Sequence, residues 1–244
     1  MEFGVFLQCY KQPFATYNAL RSVRNHYPTC TIVIVSDNGY DYTEMAKHFN
    51  CVYIHSTVGL NCQFSNEDIK NGIQSIDYYK DHIKRTADGF QLITEPYVMI
   101  LEDDVSINHK ITDTFKYDLN GFCPNQINIE GLKHKYPILN KANTYRFSGH
   151  GGSIYNKQSF LAAIQNKEII HDLLTNWSTY NFCSNICQDL LWSILIILNG
   201  GTVGPYHGHY DCSYLNEQIV VQHQYKVYYN VNMPQQLKYL VKMT

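Results

Sequence analysis

Over the first hundred residues, short unbroken apolar runs alternate with amphipathic stretches. Phe3–Leu7, Thr31–Val35, Cys51–Ile54 and Tyr97–Leu101 are such runs. Runs that lack polar alternation belong to strands buried on both faces, as in parallel sheets. Between them the spacing predicts helices over about Phe14–Asn25, with Ala19, Leu20 and Val23 on one side, and over Thr43–Phe49. A third, longer helix is predicted from about Asn66 to Thr86. Strands and helices in this alternation fold as an α/β structure, with a mostly parallel central sheet, right-handed crossovers and helices on its faces.

The second half is less regular. Residues Asn108–Asn143 lack a strong period and contain Pro124 and Pro137, which predicts a meandering segment. Phe147–Tyr155 carries Gly149, Gly151 and Gly152, Cys183–Leu198 reads as an apolar helix, and Gln218–Tyr229 holds one more strand. With no internal repeat, low-complexity stretch or linker visible, the 244 residues are read as one domain, 1–244.

Composition narrows the function classes. The chain is 45% hydrophobic and 16% charged with a net charge of −2, which describes a globular protein. It carries no dense Lys/Arg run, so broad phosphate-backbone binding has no footprint and no nucleic-acid partner is expected. The 21 tyrosines suit a wet binding cleft, since each offers a flat apolar face and a hydroxyl. The eight cysteines include no C-x-x-C pair; Cys183 and Cys187 stand four apart without further ligands for a zinc site. Reduced thiols and a cytoplasmic location are expected. The N-terminus shows no signal-peptide pattern, and the longest apolar run, Leu190–Leu198, contains Ser193 and is too short to span a bilayer.

The chemistry gathers where apolar runs end. Tyr97–Leu101 stops abruptly in Glu102-Asp103-Asp104. Ligands of open α/β sheets collect at strand carboxyl ends, and hard cations such as Mg²⁺ or Mn²⁺ take oxygen ligands and hold phosphates. The plain alternative is a solvated acidic turn. Asp37 follows the second strand, placed to accept a hydrogen bond from a base or ribose, although Asp37-Asn38-Gly39 is also a strong turn signal. Ser148–Ser153 concentrates glycine, which lets a ligand approach the backbone or simply makes a tight turn; its spacing matches neither the phosphate loop nor the dinucleotide fingerprint. Asp189 after Gln188 reads as a helix-dipole acid or as a general base reaching a substrate hydroxyl. His207 and His209, in Gly204–Asp211, share one face of an extended segment and offer imidazole to a metal such as Mn²⁺.

Together, Phe6–Pro13, Val35–Gly39 and Leu101–Asp104 resemble nucleotide-sugar glycosyltransferases of the GT-A fold. Their order and spacing are similar to the inverting glycosyltransferase family two, over about residues 3–213. The resemblance implies a Rossmann-like sheet, a nucleotide-sugar-binding half over 1–107 and an acceptor-binding half over 108–244. It implies that Gln8, Tyr10 and Asp37 line the nucleotide site, with Asp37 on the base. Glu102-Asp103-Asp104 would be the D-x-D element, Asp104 holding Mn²⁺ or Mg²⁺ and Glu102 or Asp103 near the ribose. Gly151 and Gly152 would line the sugar and acceptor region, Asp189 would be the catalytic base, and His207 would complete the metal's coordination. The implied reaction moves a hexosyl-type sugar from a UDP-sugar to the hydroxyl of a glycan or other acceptor, with inversion. Three departures stand out: Glu102 begins the D-x-D element, Gln188 replaces an acid, and Asn71-Gly72-Ile73 lies farther upstream than its counterpart. Alternatives are a retaining GT-A transferase, a sugar-nucleotide nucleotidyltransferase, for which Gln8–Pro13 lacks the Gly-rich basic loop, and a non-catalytic carbohydrate-binding domain.

Overall fold

The computed structural model describes residues 2–9, 12–36, 40–55, 64–65, 76–148, 151–180, 182 and 185–242. In chain order the strands are β1 (Phe3–Cys9), β2 (Ile32–Ser36), β3 (Val52–His55), β4 (Phe64–Ser65), β5 (Tyr97–Leu101), β6 (Ser106–Ile107) and β7 (Leu119–Asn120). There follow β8 (Gln126–Ile127), β9 (Tyr145–Arg146), β10 (Ile154–Asn156), β11 (Asn185–Ile186), β12 (Val203–Gly204), β13 (His209–Asp211) and β14 (Val221–His223). The helices are α1 (Pro13–His26), α2 (Thr43–His48), α3 (Ile76–Leu92), α4 (Glu130–Lys133), α5 (Lys157–Gln165), α6 (Lys167–Asn176) and α7 (Gln188–Leu198).

Seven strands form the central sheet in the order β12-β7-β10-β5-β1-β2-β3. β10 is antiparallel to both its neighbours, while the other pairings are parallel. The unbroken runs behave as their lack of alternation predicts, because both faces of β1, β2 and β5 are covered. Phe6, Val33, Val35, Val98 and Ile100 face a core shared with Phe90, Phe160, Trp177 and Trp192. Val5, Leu7, Ile32, Ile34, Met99 and Leu101 face Leu20, Val23, Met45 and Phe49 on α1 and α2. The α/β, mostly parallel, single-domain expectation holds.

Two helices differ from their predicted limits. The stretch predicted to end at Thr86 continues as helix to Leu92. Gly89 lies within this extension, where a Cβ would collide with the Phe6 ring; the glycine lets the helix lie close on β1. The helix predicted from Cys183 starts at Gln188, because Asn185–Ile186 pairs instead with β4. Cys183, Tyr10, Asp37 and Asn71-Gly72-Ile73 lie outside the described residues.

A small sheet, β13-β14-β6, sits beside the carboxyl end of β5. β14 is the strand expected within Gln218–Tyr229. Beyond it the chain crosses α1, where Phe14 meets Tyr228 at 5.3 Å between ring centroids, and bridges Asp41 to Lys242 next to α2. Among the described residues, no helix is long and apolar enough to cross a membrane.

Candidate active site

β5 ends at Leu101, and the next three residues carry the acids to the rim of the sheet. β14, held against β6, brings His223 to the same place. One carboxylate oxygen each of Glu102 and Asp104 and an imidazole nitrogen of His223 all lie within 4.8 Å of one another. His223 Nε2 is 3.4 Å from Glu102 Oε2 and 3.6 Å from Asp104 Oδ1. The Glu102 contact is a long hydrogen bond at best, and Asp104 Oδ1 is buried without a hydrogen-bond partner. A buried carboxylate oxygen left unbonded is costly, whereas a shared divalent cation would satisfy all three groups. The residues fit a metal on that ground. The donor set, two carboxylates and an imidazole, suits Mn²⁺ better than Mg²⁺, which prefers oxygen alone.

A carboxylate behind the imidazole supports this geometry. His223 Nδ1 donates to Asp211 Oδ1 at 2.9 Å, which leaves Nε2 as the ligand atom and fixes the ring, the usual arrangement behind a metal-bound histidine. Burial works against a charged His223, yet Asp211, Glu102 and Asp104 together raise its pKa well above the ordinary value. The pKa of Asp104 is also raised, by burial first and by the charge of Glu102 second. Before any cation binds, a proton on His223 balances part of the acidic charge.

The neighbouring residues explain the glycines. A Cβ on Gly151 would collide with the His223 ring, and Gly152 takes a left-handed φ of +84° where a Cβ would press on Val221 and His209. The two glycines therefore let the β10 edge lie directly behind the histidines. Gly151 also fixes the tautomer of His209. Its Nδ1 accepts the Phe122 N–H at 2.9 Å, so the proton sits on Nε2, 2.9 Å from Gly151 O. Burial lowers the His209 pKa to about 4, leaving it neutral and engaged on both nitrogens.

Of the two predicted histidines, neither joins the acids. His207 is exposed on a turn, its backbone N–H bonded to Asp113 Oδ2 at 2.7 Å. His223 occupies the position for which His207 was expected. In the sequence it stood only as one residue inside the predicted late strand Gln218–Tyr229, with no neighbouring signal of a ligand. Glu102 forms the open edge of the cluster, with its side chain 35% exposed against 4% for Asp104. Asp103 points elsewhere and accepts a hydrogen bond from the Tyr229 hydroxyl; burial raises its pKa to about 7, and the Tyr229 bond opposes the shift. Lys226 Nζ stands 3.7 Å from Asp104 Oδ2.

Gln8 Nε2 is 3.0 Å from His82 Nδ1 on α3, and the His82 ring lies 5.9 Å from that of Trp192, one turn along α7 from Asp189. Asp189 is half-buried at the second position of α7, where the helix dipole favours an anion. The fully buried Tyr155 lies within the fields of both Asp189 and Glu102; burial, then those two charges, push its pKa well up.

No protein-family model and no curated protein matches the sequence. Solved structures do. An active-site glutamine-to-glutamate variant of LgtC is 12% identical, with 97% of this chain and 99% of that one covered at a TM-score of 0.50. The glycosyltransferase GlyE of Streptococcus pneumoniae TIGR4 is likewise 12% identical at a TM-score of 0.50, with 92% of this chain covered but 55% of GlyE. The likeness is one of fold. The chain has the GT-A type of α/β architecture, and the inverting family two finds no specific support in it.

Proposed function

We propose that the chain is a metal-dependent glycosyltransferase that moves a hexosyl-type sugar from a nucleoside-diphosphate sugar, a UDP-sugar, to an acceptor hydroxyl. The observation that carries this reading is the Glu102–Asp104–His223 cluster at the carboxyl end of β5, with Asp211 behind it. These three residues would hold Mn²⁺ or Mg²⁺. When bound, the cation offsets negative charge developing on the departing nucleoside diphosphate.

The chain's own residues supply the rest. Glu102, at the open edge, reaches the donor, and Gln8 borders the same end of the sheet. Tyr10 and Asp37 complete the nucleotide side in residues 1–107, and the acceptor lies against residues 108–244. Asp189 takes the proton from the acceptor hydroxyl as its oxygen attacks the anomeric carbon, so that the configuration inverts. Gly151 and Gly152 act by letting β10 approach His223 and His209.

A second reading, transfer with retention, is favoured by one observation. Gln188 precedes Asp189 at the start of α7, and the LgtC fold neighbour has a glutamine in its active site. One experiment separates the two. The protein is incubated with Mn²⁺, a panel of UDP-, GDP- and dTDP-sugars and hydroxyl acceptors, release of the nucleoside diphosphate is followed, and the anomeric configuration of the transferred product is read by NMR. Asp189→Asn is expected to slow transfer by about 10²–10⁴-fold with Mn²⁺ and donor binding unchanged. Full transfer by that variant would remove the base assignment, and no turnover of any donor with no nucleotide-dependent thermal shift would sink the transferase reading.

A further inference from the structure

A cleft of about 650 Å³ lies between α3 and the α5–α6 pair, on the helical face of the sheet rather than at the carboxyl end of β5. Its floor is Ile83, Ile164 and Ile170, each recessed to between 5% and 9% exposure. Its rim carries Lys80, Lys84 and Lys167, all exposed, and no carboxylate belongs to the lining. Lys84 pairs with Asp88 at 2.5 Å, but an exposed pair at that helical spacing is weak and yields readily to another anion. From Lys80 to Gln91 the cleft follows α3 for roughly 16 Å, taking the ordinary helical rise. Apolar depth beneath a rim that carries lysines on both its α3 and α6 sides and no carboxylate asks for a ligand with an apolar chain and an anionic head.

We infer that this cleft binds a single-chain anionic amphiphile, an acyl carboxylate of about the length of dodecanoate, at a site separate from the proposed transferase centre. The volume falls in the range of about 300–1,000 Å³ typical of small-molecule sites. A protein partner is the weaker fit: none of the exposed large apolar side chains, such as Tyr214, Leu215 or Tyr239, lines the cleft, and its isoleucines sit below the surface that a flat interface would touch. The lysines supply the complementary charge and the isoleucines the apolar contact.

Calorimetric titration of the full chain with dodecanoate, below its micelle concentration, tests this, with dodecyltrimethylammonium as the control. Saturable binding of one dodecanoate is expected, without binding of the cationic analogue. Ala87→Phe, which fills the cleft from α3, should abolish it. The double variant Lys84→Glu, Lys167→Glu should weaken it at least tenfold while remaining folded, since an acid at the first position of α6 suits the helix dipole. Unliganded melting curves confirm that each variant is folded, and either variant alone suffices for the test. Absent binding, equal affinity for the cationic chain, or affinity unchanged in a folded variant would overturn the proposal. So would sedimentation with phosphatidylserine vesicles, or capture of an acidic amphipathic peptide, without binding of free dodecanoate.

Discussion

Two buried aspartates, Asp104 and Asp172, face opposite circumstances. Asp172 on α6 accepts hydrogen bonds from the Tyr136 hydroxyl at 2.5 Å, the Tyr180 hydroxyl at 2.6 Å and Asn176 Nδ2 at 2.7 Å, and from the Lys135 ammonium. Burial alone would raise its pKa; these donors outweigh burial and hold it at about 2. Asp104 has Lys226 and His223 at 3.6–3.7 Å, an oxygen without a hydrogen bond, and a raised pKa. A carboxylate that the protein satisfies by itself ties elements together. One left short of donors, beside a second acid and a braced imidazole, has capacity left for a cation. The contrast sets an acid that ties the structure together apart from the one proposed to bind a metal.

The sharpest break of the contrast is Asp104→Ala. It should abolish Mn²⁺-dependent donor hydrolysis and transfer, and should cost the metal-free protein little stability, because the carboxylate removed was poorly satisfied. Isothermal titration with Mn²⁺ and a melting curve read the two effects; a large loss of stability with metal binding intact would reverse the assignment. Asp172→Asn should do the opposite, costing about 2–4 kcal/mol in urea unfolding and leaving Mn²⁺ affinity unchanged.

Asp172 also predicts a pH effect. Its folded pKa lies below the ordinary 3.8, so its contribution is present above about pH 4 and is lost as the pH falls through about 2. The contribution is about 2 kcal/mol. The wild-type stability curve should therefore steepen at acid pH and flatten in Asp172→Asn; parallel curves would show that the network does not depend on the charge. The smallest effect belongs to Asp211→Asn, which keeps a hydrogen-bond acceptor behind His223 but removes its charge. A fall in Mn²⁺ affinity of about tenfold is expected, with stability near wild type, and an unchanged affinity would mean that the imidazole needs no charged support.

What could be read from the chain depended on how local its cause was. β5 occupies its predicted residues because an unbroken apolar run ending in three acids is a signal carried within eight positions. The end of α3 was set too early at Thr86 because what lets the helix run on past Gly89, its close approach to Phe6, lies outside the local sequence. Asp172 reads as an ordinary surface acid beside His171; its burial is made by Tyr136 and by Lys135, both more than thirty residues away. His223 was hidden for the same reason. Nothing near it marks it as a ligand, while His207 and His209, set among glycines, drew attention that the fold spends on a turn and on a buried brace for Phe122 and Gly151.

The division of the proposed cation site between β5 and β14 also sets an order of events in time. Asp104 and His223 are 119 positions apart (223 − 104), roughly 6–24 s of synthesis at ordinary elongation rates. The acids are made first and wait for their imidazole. During that interval the nascent chain can complete β1, β2, β3 and β5 with no metal-binding capacity of its own, and competence arrives in one step when β14 docks beside β6. Cleavage of a finished chain between β6 and β13 would leave every proposed ligand residue present, yet would make their meeting depend on noncovalent docking of β14.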